Sequence, residues 1–167
     1  MMTPASAQLM ARYNQWANDK LYRAASQLSE AEYRRPRGAF FGSIHGTFNH
    51  LLVADQIWMG RFSGVPFPVE RLDHELYADA TELATARAEV DTAILAWAGQ
   101  LTPSALESEL RYISFTTRQD KRSPLGRAVL HFFNHQTHHR GQVTAMLSQA
   151  GVDYGVIDLV GMEWPPS

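Results

Sequence analysis

Four of the chain's seven histidines, His131, His135, His138 and His139, lie within nine residues, in a stretch without proline. Histidine is the commonest side-chain ligand for metals, because a neutral imidazole presents one unprotonated nitrogen at physiological pH. On a helix, residues four apart lie about 40° from each other around the axis. His131, His135 and His139 therefore share one stripe, and His138 points about 100° away from His139. Two imidazoles one turn apart can grip one ion, and a third ligand has to come from another helix.

The elements that must position these side chains are four helical stretches. The first runs from about Pro4 to Leu28, with Thr3 as cap and Leu9, Tyr13, Trp16, Ala17 and Leu21 at helical spacing. After a short helical turn around Glu30 to Tyr33, the chain breaks at Pro36 and Gly38. The second begins near Ser43 and ends at Phe62, before Gly64 and Pro66. The third opens at Asp79 with the spacing of a capping box, Asp79-Ala80-Thr81-Glu82, and runs to about Leu101. Leu110 to Phe115 alternates like a strand or hairpin arm. The fourth is expected to start at Ser123-Pro124, a cap and a first-turn proline, and to end at Gly151. The tail from Val152 to Ser167 reads as irregular. The expected fold is all-α, a four-helix bundle with a small β excursion before the last helix, in one domain spanning 1–167.

The second helix is apolar except for one narrow arc holding His45, Asn49, Gln56 and Gly60, so it is expected to be the most buried. His50 falls outside that arc, beside Val53, Ala54 and Ile57, and is the best third donor. A lone buried histidine is otherwise a hydrogen-bonded core residue. His45, in the polar arc, and His74, in a loop, read as solvated. Three imidazoles would leave a position for water or substrate, the pattern of a catalytic site. Nitrogen-only ligation suits zinc, nickel, iron or copper over magnesium or calcium. Asn134 and Gln142 can orient imidazoles or a bound ligand, whereas Arg140 reads as solvated helix face. Gly141 in mid-helix suggests close approach of a neighbouring helix. Trp16, Trp58 and Trp97 read as packing and Asp19 as an isolated carboxylate, while Asp55, on the apolar side of its helix, reads either as half of a structural ion pair or as a group that orients a metal ligand.

Composition sets the remaining limits. With 167 residues, 45% of them apolar, and a net charge of −2, the chain can bury a full core and offers no basic footprint for nucleic acid. It has no cysteine, which excludes disulfides and thiolate sites. The N-terminus lacks the pattern of a secretion signal and no apolar run spans a membrane, so a soluble cytoplasmic protein is expected.

Three segments together resemble the DinB family of metal-binding four-helix proteins, across nearly the whole chain. They are Ala11 to Asn18, Gly46 to Asp55 (Gly-Thr-Phe-Asn-His-Leu-Leu-Val-Ala-Asp), and Asn134 to Gln142 (Asn-His-Gln-Thr-His-His-Arg-Gly-Gln). The family's name refers to a damage-inducible gene product. The resemblance implies a bundle with left-handed connection order and a divalent metal, often nickel or zinc, on His50, His135 and His139. It also implies homodimers, and kinship with transferases and isomerases that use low-molecular-weight thiols. Metal-activated thiol transfer on a small-molecule substrate is the leading expectation. Metal-assisted hydrolysis and a purely structural metal are the alternatives.

Overall fold

A computed structural model describes residues 2–163 of the chain. Four long helices carry it: α1 (Pro4–Ala25), α3 (Ile44–Ser63), α4 (Ala80–Gly99) and α6 (Leu125–Gln149). Between them lie the short α2 (Glu30–Tyr33) and α5 (Pro103–Glu107), and the strands β1 (Glu109–Ile113) and β2 (Asp120–Pro124). A 3-10 turn at Leu159–Gly161 interrupts the tail. No helix among the described residues is long and apolar enough to cross a membrane.

Local chemistry explains most boundaries. The Thr3 and Ser6 side chains cap each other's backbone amides at the start of α1, with Pro4 in the first turn. Ser43 caps α3 by accepting from the Gly46 amide, and Gly64 ends it in a left-handed conformation at φ 75°. Asp79 caps α4 by accepting from the amides of Thr81 and Glu82. The expected start of the last helix is corrected. Pro124 belongs to β2, no side chain caps α6, and the Leu125 amide instead bonds the carbonyl of Ser108 at 2.8 Å. β1 and β2 pair antiparallel, with Arg111 opposite Arg122, so the expected hairpin arm has a partner strand that the sequence pattern did not reveal.

In the bundle, α1 and α3 each pack on both α4 and α6, which places α1 and α3 at opposite corners. The connections 26–43 and 100–124 therefore cross the ends of the bundle, whereas 64–79 joins neighbouring helices. The core has two apolar halves. One gathers Leu21, Phe48, Leu52, Leu83, Val143 and Leu147; the other gathers Ala11, Trp58, Ile94, Val129, Phe132 and Phe133. Between them every long helix contributes buried polar residues: Asn14 and Asn18, Asp55, Arg87 and Asp91, Gln136 and Arg140. Aromatic residues of α1 and α4 pack within the chain. Tyr13 is buried, and Trp97 stacks on Phe62 at 4.6 Å.

Two glycines have a steric reason and one does not. A Cβ on Gly46 would lie 2.2 Å from the Phe41 carbonyl oxygen, and one on Gly60 would lie 2.6 Å from that of Val65. Gly141 was expected to mark a close helix approach, yet nothing stands within 4 Å of its Cβ position. Gly141→Ala should therefore stabilise the protein by about 0.5–1 kcal/mol, the helix-propensity difference alone. A denaturant midpoint that falls in this variant would contradict the open environment.

Candidate metal centre

α3 and α6 bring His50, His135 and His139 together. Their Nε2 atoms form a triangle: His50 to His135 is 3.4 Å, His50 to His139 is 3.2 Å, and His139 to His135 is 3.1 Å. The outward nitrogens of two of them are fixed. His50 Nδ1 donates to the carbonyl oxygen of Leu72 at 2.8 Å, and His139 Nδ1 bonds Gln142 Oε1 at 2.8 Å. Both partner atoms are acceptors, so each ring carries its proton on Nδ1 and turns a bare Nε2 lone pair inward. Burial, reinforced by the neighbouring imidazoles, brings the pKa of His50 down to about 4 and that of His135 to about 3. His139 is lowered as well, chiefly by burial.

Neutral rings that aim lone pairs at one point repel each other unless a cation lies between them. Two nitrogens bound to one tetrahedral zinc at about 2.0–2.1 Å lie about 3.3 Å apart, which matches this triangle. The three histidines form the group of His, Cys, Asp or Glu side chains, among the described residues, that could hold a metal ion. The donor set and its spacing fit a divalent transition metal.

The second residue layer is built from local structure. Phe41 stacks on the His50 ring at 3.6 Å and meets His139 edge-on at 5.5 Å. It sits in a tight turn where Ala39 bridges to Gly42, whose φ is 76°. That turn lies flat on α3 only because residue 46 is glycine. Phe41 was not singled out from sequence; the available signal was the Phe40-Phe41-Gly42-Ser43 turn and cap directly before the Gly46 motif.

Several expectations about single residues are corrected. His45 is buried, not solvated: its Nε2 lies 3.2 Å from Glu75 Oε1, and its ring packs edge-on against Tyr33. Arg140 is the reverse of a solvated residue, being 1% exposed and bonded to Asn14 and, at 3.3 Å, to Thr137 Oγ1. Asn134 is exposed and holds no imidazole, whereas Gln142 does. His74, His138 and Asp19 are exposed. His131 stays outside the triangle, its ring 5.2 Å from Trp58 and 6.0 Å from His135. Asp55 forms the expected ion pair, with Arg87 Nη1 at 2.6 Å.

A sequence model of the DinB family matches residues 1–166. The chain belongs to the DinB family. Protein DinB of Bacillus subtilis is 27% identical over 164 residues, covering 86% of this chain and 88% of that protein. The fold matches the crystal structure of a DinB-like protein from Bacillus cereus with a TM-score of 0.60. That likeness covers 84% of this chain and 89% of the other at 20% identity, so it speaks for the DinB fold alone.

The depressed histidines give this DinB-family chain a pH signature without metal. An unfolded histidine titrates near 6.5, and the folded values of about 4 and about 3 lie below it. The unfolded state thus takes up protons first as pH falls, and the histidines' contribution is full above about 6.5. In chelated protein, stability should decline from about pH 6.5 down through the folded values. The slope is at most about 1.4 kcal/mol per pH unit for each histidine. Urea midpoints that stay flat between pH 7 and pH 5 would contradict it.

Proposed function

We propose that His50, His135 and His139 hold one divalent transition metal, zinc or nickel before iron or copper. We further propose that the centre serves a low-molecular-weight-thiol-dependent transferase. The observation that carries the reading is the convergence of three Nε2 atoms 3.1–3.4 Å apart, two of them in rings locked by Nδ1 bonds. When bound, such a metal lowers the pKa of a thiol that reaches it and so supplies thiolate at neutral pH.

The chain's own residues fit that role. His50 and His135 form one wall of an open cleft of about 310 Å³, lined elsewhere by Ile57, Trp58 and Phe115. These apolar side chains give a nucleophile held there a partly desolvated flank, and no cysteine exists to compete for the ion. The hydrolytic alternative needs a carboxylate base, and no carboxylate lines this cleft. Asp55 is sealed against Arg87, and Asp73 is held by Arg71 at 2.7 Å. This favours thiol transfer over hydrolysis.

The test uses cobalt-loaded protein titrated with small thiols. A sulfur-to-metal charge-transfer band should grow in, and His135→Ala should abolish it. Turnover of electrophilic acceptors should then need both thiol and metal. No band, together with a fourth protein ligand in the coordination sphere, would move the assignment to a structural metal.

A further inference from the structure

Arg61, on the last turns of α3, is the one permanently charged side chain lining the cleft beside His50 and His135. Its guanidinium lies 4.4 Å above the Trp58 ring and 4.6 Å from that of Tyr112, and donates once, to the Ile113 carbonyl oxygen at 3.1 Å. No carboxylate among the described residues pairs with it, whereas the half-buried or buried arginines Arg34, Arg37 and Arg87 each have one, and the buried Arg140, which has none, bonds the neutral side chains of Asn14 and Thr137 instead. Burial pulls its pKa below the ordinary arginine range, the sign of a cation short of compensation. A guanidinium carries five N–H donors in a planar fork suited to a carboxylate or phosphate, and here most of them have no acceptor in the protein.

The surroundings repeat the sign. Trp58, Tyr112 and His131 also line a neighbouring recess of about 350 Å³, whose other lining residues include Lys121, Arg122 and Arg127 and no acidic side chain. The chain as a whole carries a net charge of −2, so this basic concentration is local. Low-dielectric walls around charges of one sign raise the local concentration of oppositely charged small molecules. From Arg61 the path to the metal centre is a run of ring contacts. Trp58 meets His131 at 5.2 Å, and His131 meets His135 at 6.0 Å.

We propose that the molecule converted at the three-histidine site is a small organic anion. Its carboxylate or phosphate group seats on Arg61, and its apolar body lies along Trp58, Tyr112 and Phe115, with the reacting end at the histidines. The proposal deepens the metal reading and takes from it where the reaction occurs, but the anion preference belongs to Arg61. A purely structural Arg61 would tie the β1 end to α3 through Ile113 and would be indifferent to ligand charge.

The test compares 3-phenylpropionate with its uncharged amide, by ligand-observed NMR at millimolar concentration, on the full chain stripped of metal by chelator. The acid should bind about tenfold or more tightly than the amide, as a charged hydrogen-bonded pair warrants. Added salt should narrow the gap. Arg61→Gln should bring the two within about twofold, and Arg61→Lys should restore part of the preference. Thermal melts of both variants check that they fold. Phenylpropyl phosphate, run alongside, tells a phosphate-preferring seat from a carboxylate-preferring one. Equal binding of acid and amide, no binding of either, or a preference that survives Arg61→Gln would each overturn the proposal. Because the measurement needs no metal, failure of the metal centre would leave this preference standing, and a metalloprotein without charge preference would fail here alone.

Discussion

Replacing His50, His135 or His139 by alanine, one at a time, should take metal content from about one ion per chain to essentially none. Each supplies one corner of the Nε2 triangle, and two imidazoles alone do not complete a site of the three-ligand kind. Loss of an outer partner of a ligand already weakens metal binding about 10–100-fold. Gln142→Ala, which frees His139 Nδ1, should fall in that range, and loss of a ligand should exceed it. His138→Ala and His45→Ala should keep the ion, since one ring is exposed and the other is turned to Glu75. Elemental analysis of protein purified without a nickel column reads the result. Metal lost in His138→Ala and kept in His139→Ala would overturn the ligand assignment.

Arg87→Leu should destabilise the fold by about 3–5 kcal/mol, the cost of stripping the partner from a buried charge. Arg87 is 3% exposed and reaches Asp55 on α3 at 2.6 Å and Asp91 on its own helix at 2.8 Å. Asn14 and Asn18 of α1 also donate to Asp91, at 2.7 Å and 3.0–3.1 Å. They orient that carboxylate without neutralising it. Burial already raises the pKa of Asp55 and Asp91, and Arg87 is the main opposing influence on both. For a chain of this size the melting temperature should drop by about 6–20 °C. A drop of only one or two degrees would mean that the layer relaxes around the loss. Asp55→Asn, which keeps the shape but removes the charge, should cost less than Arg87→Leu.

The three-histidine grouping was legible because it is largely local. His135 and His139 are one turn apart on one helix and His50 is inward on the most buried helix, so angular position narrows the choice to these three and His131, which shares their stripe one turn further along. What was misread depended on segments distant in sequence. The polar arc of α3 looked like a solvated face, but residues 64–79 fold back over it. Asn49 exchanges two 3.1 Å bonds with the backbone of Tyr77, and Gly60 makes room for the Val65 carbonyl. A polar stripe can bind returning chain as readily as water, and a single-helix pattern does not distinguish them. Arg140 escaped for a similar reason, since its partner Asn14 lies 126 residues away. β2, Asp-Lys-Arg-Ser-Pro, is almost wholly exposed and held by backbone pairing to β1, so it shows no alternation to read.

The polar layer across the middle of the bundle also has a consequence for alignment. Apolar contacts alone specify the height of a helix against its neighbour less sharply, because one hydrocarbon group of about the right size can stand in for another at modest cost. Arg87 and Arg140 do not. A shift of α6 by one turn, about 5.4 Å, would pull Arg140 from Asn14 and set a guanidinium against the apolar half around Val143 or Phe133. Gln136 and Arg140 each directly follow a histidine of the triangle, His135 and His139, in the chain. The layer therefore acts as an axial stop that indexes α6 against its neighbours, and the two imidazoles on α6 inherit their height from it.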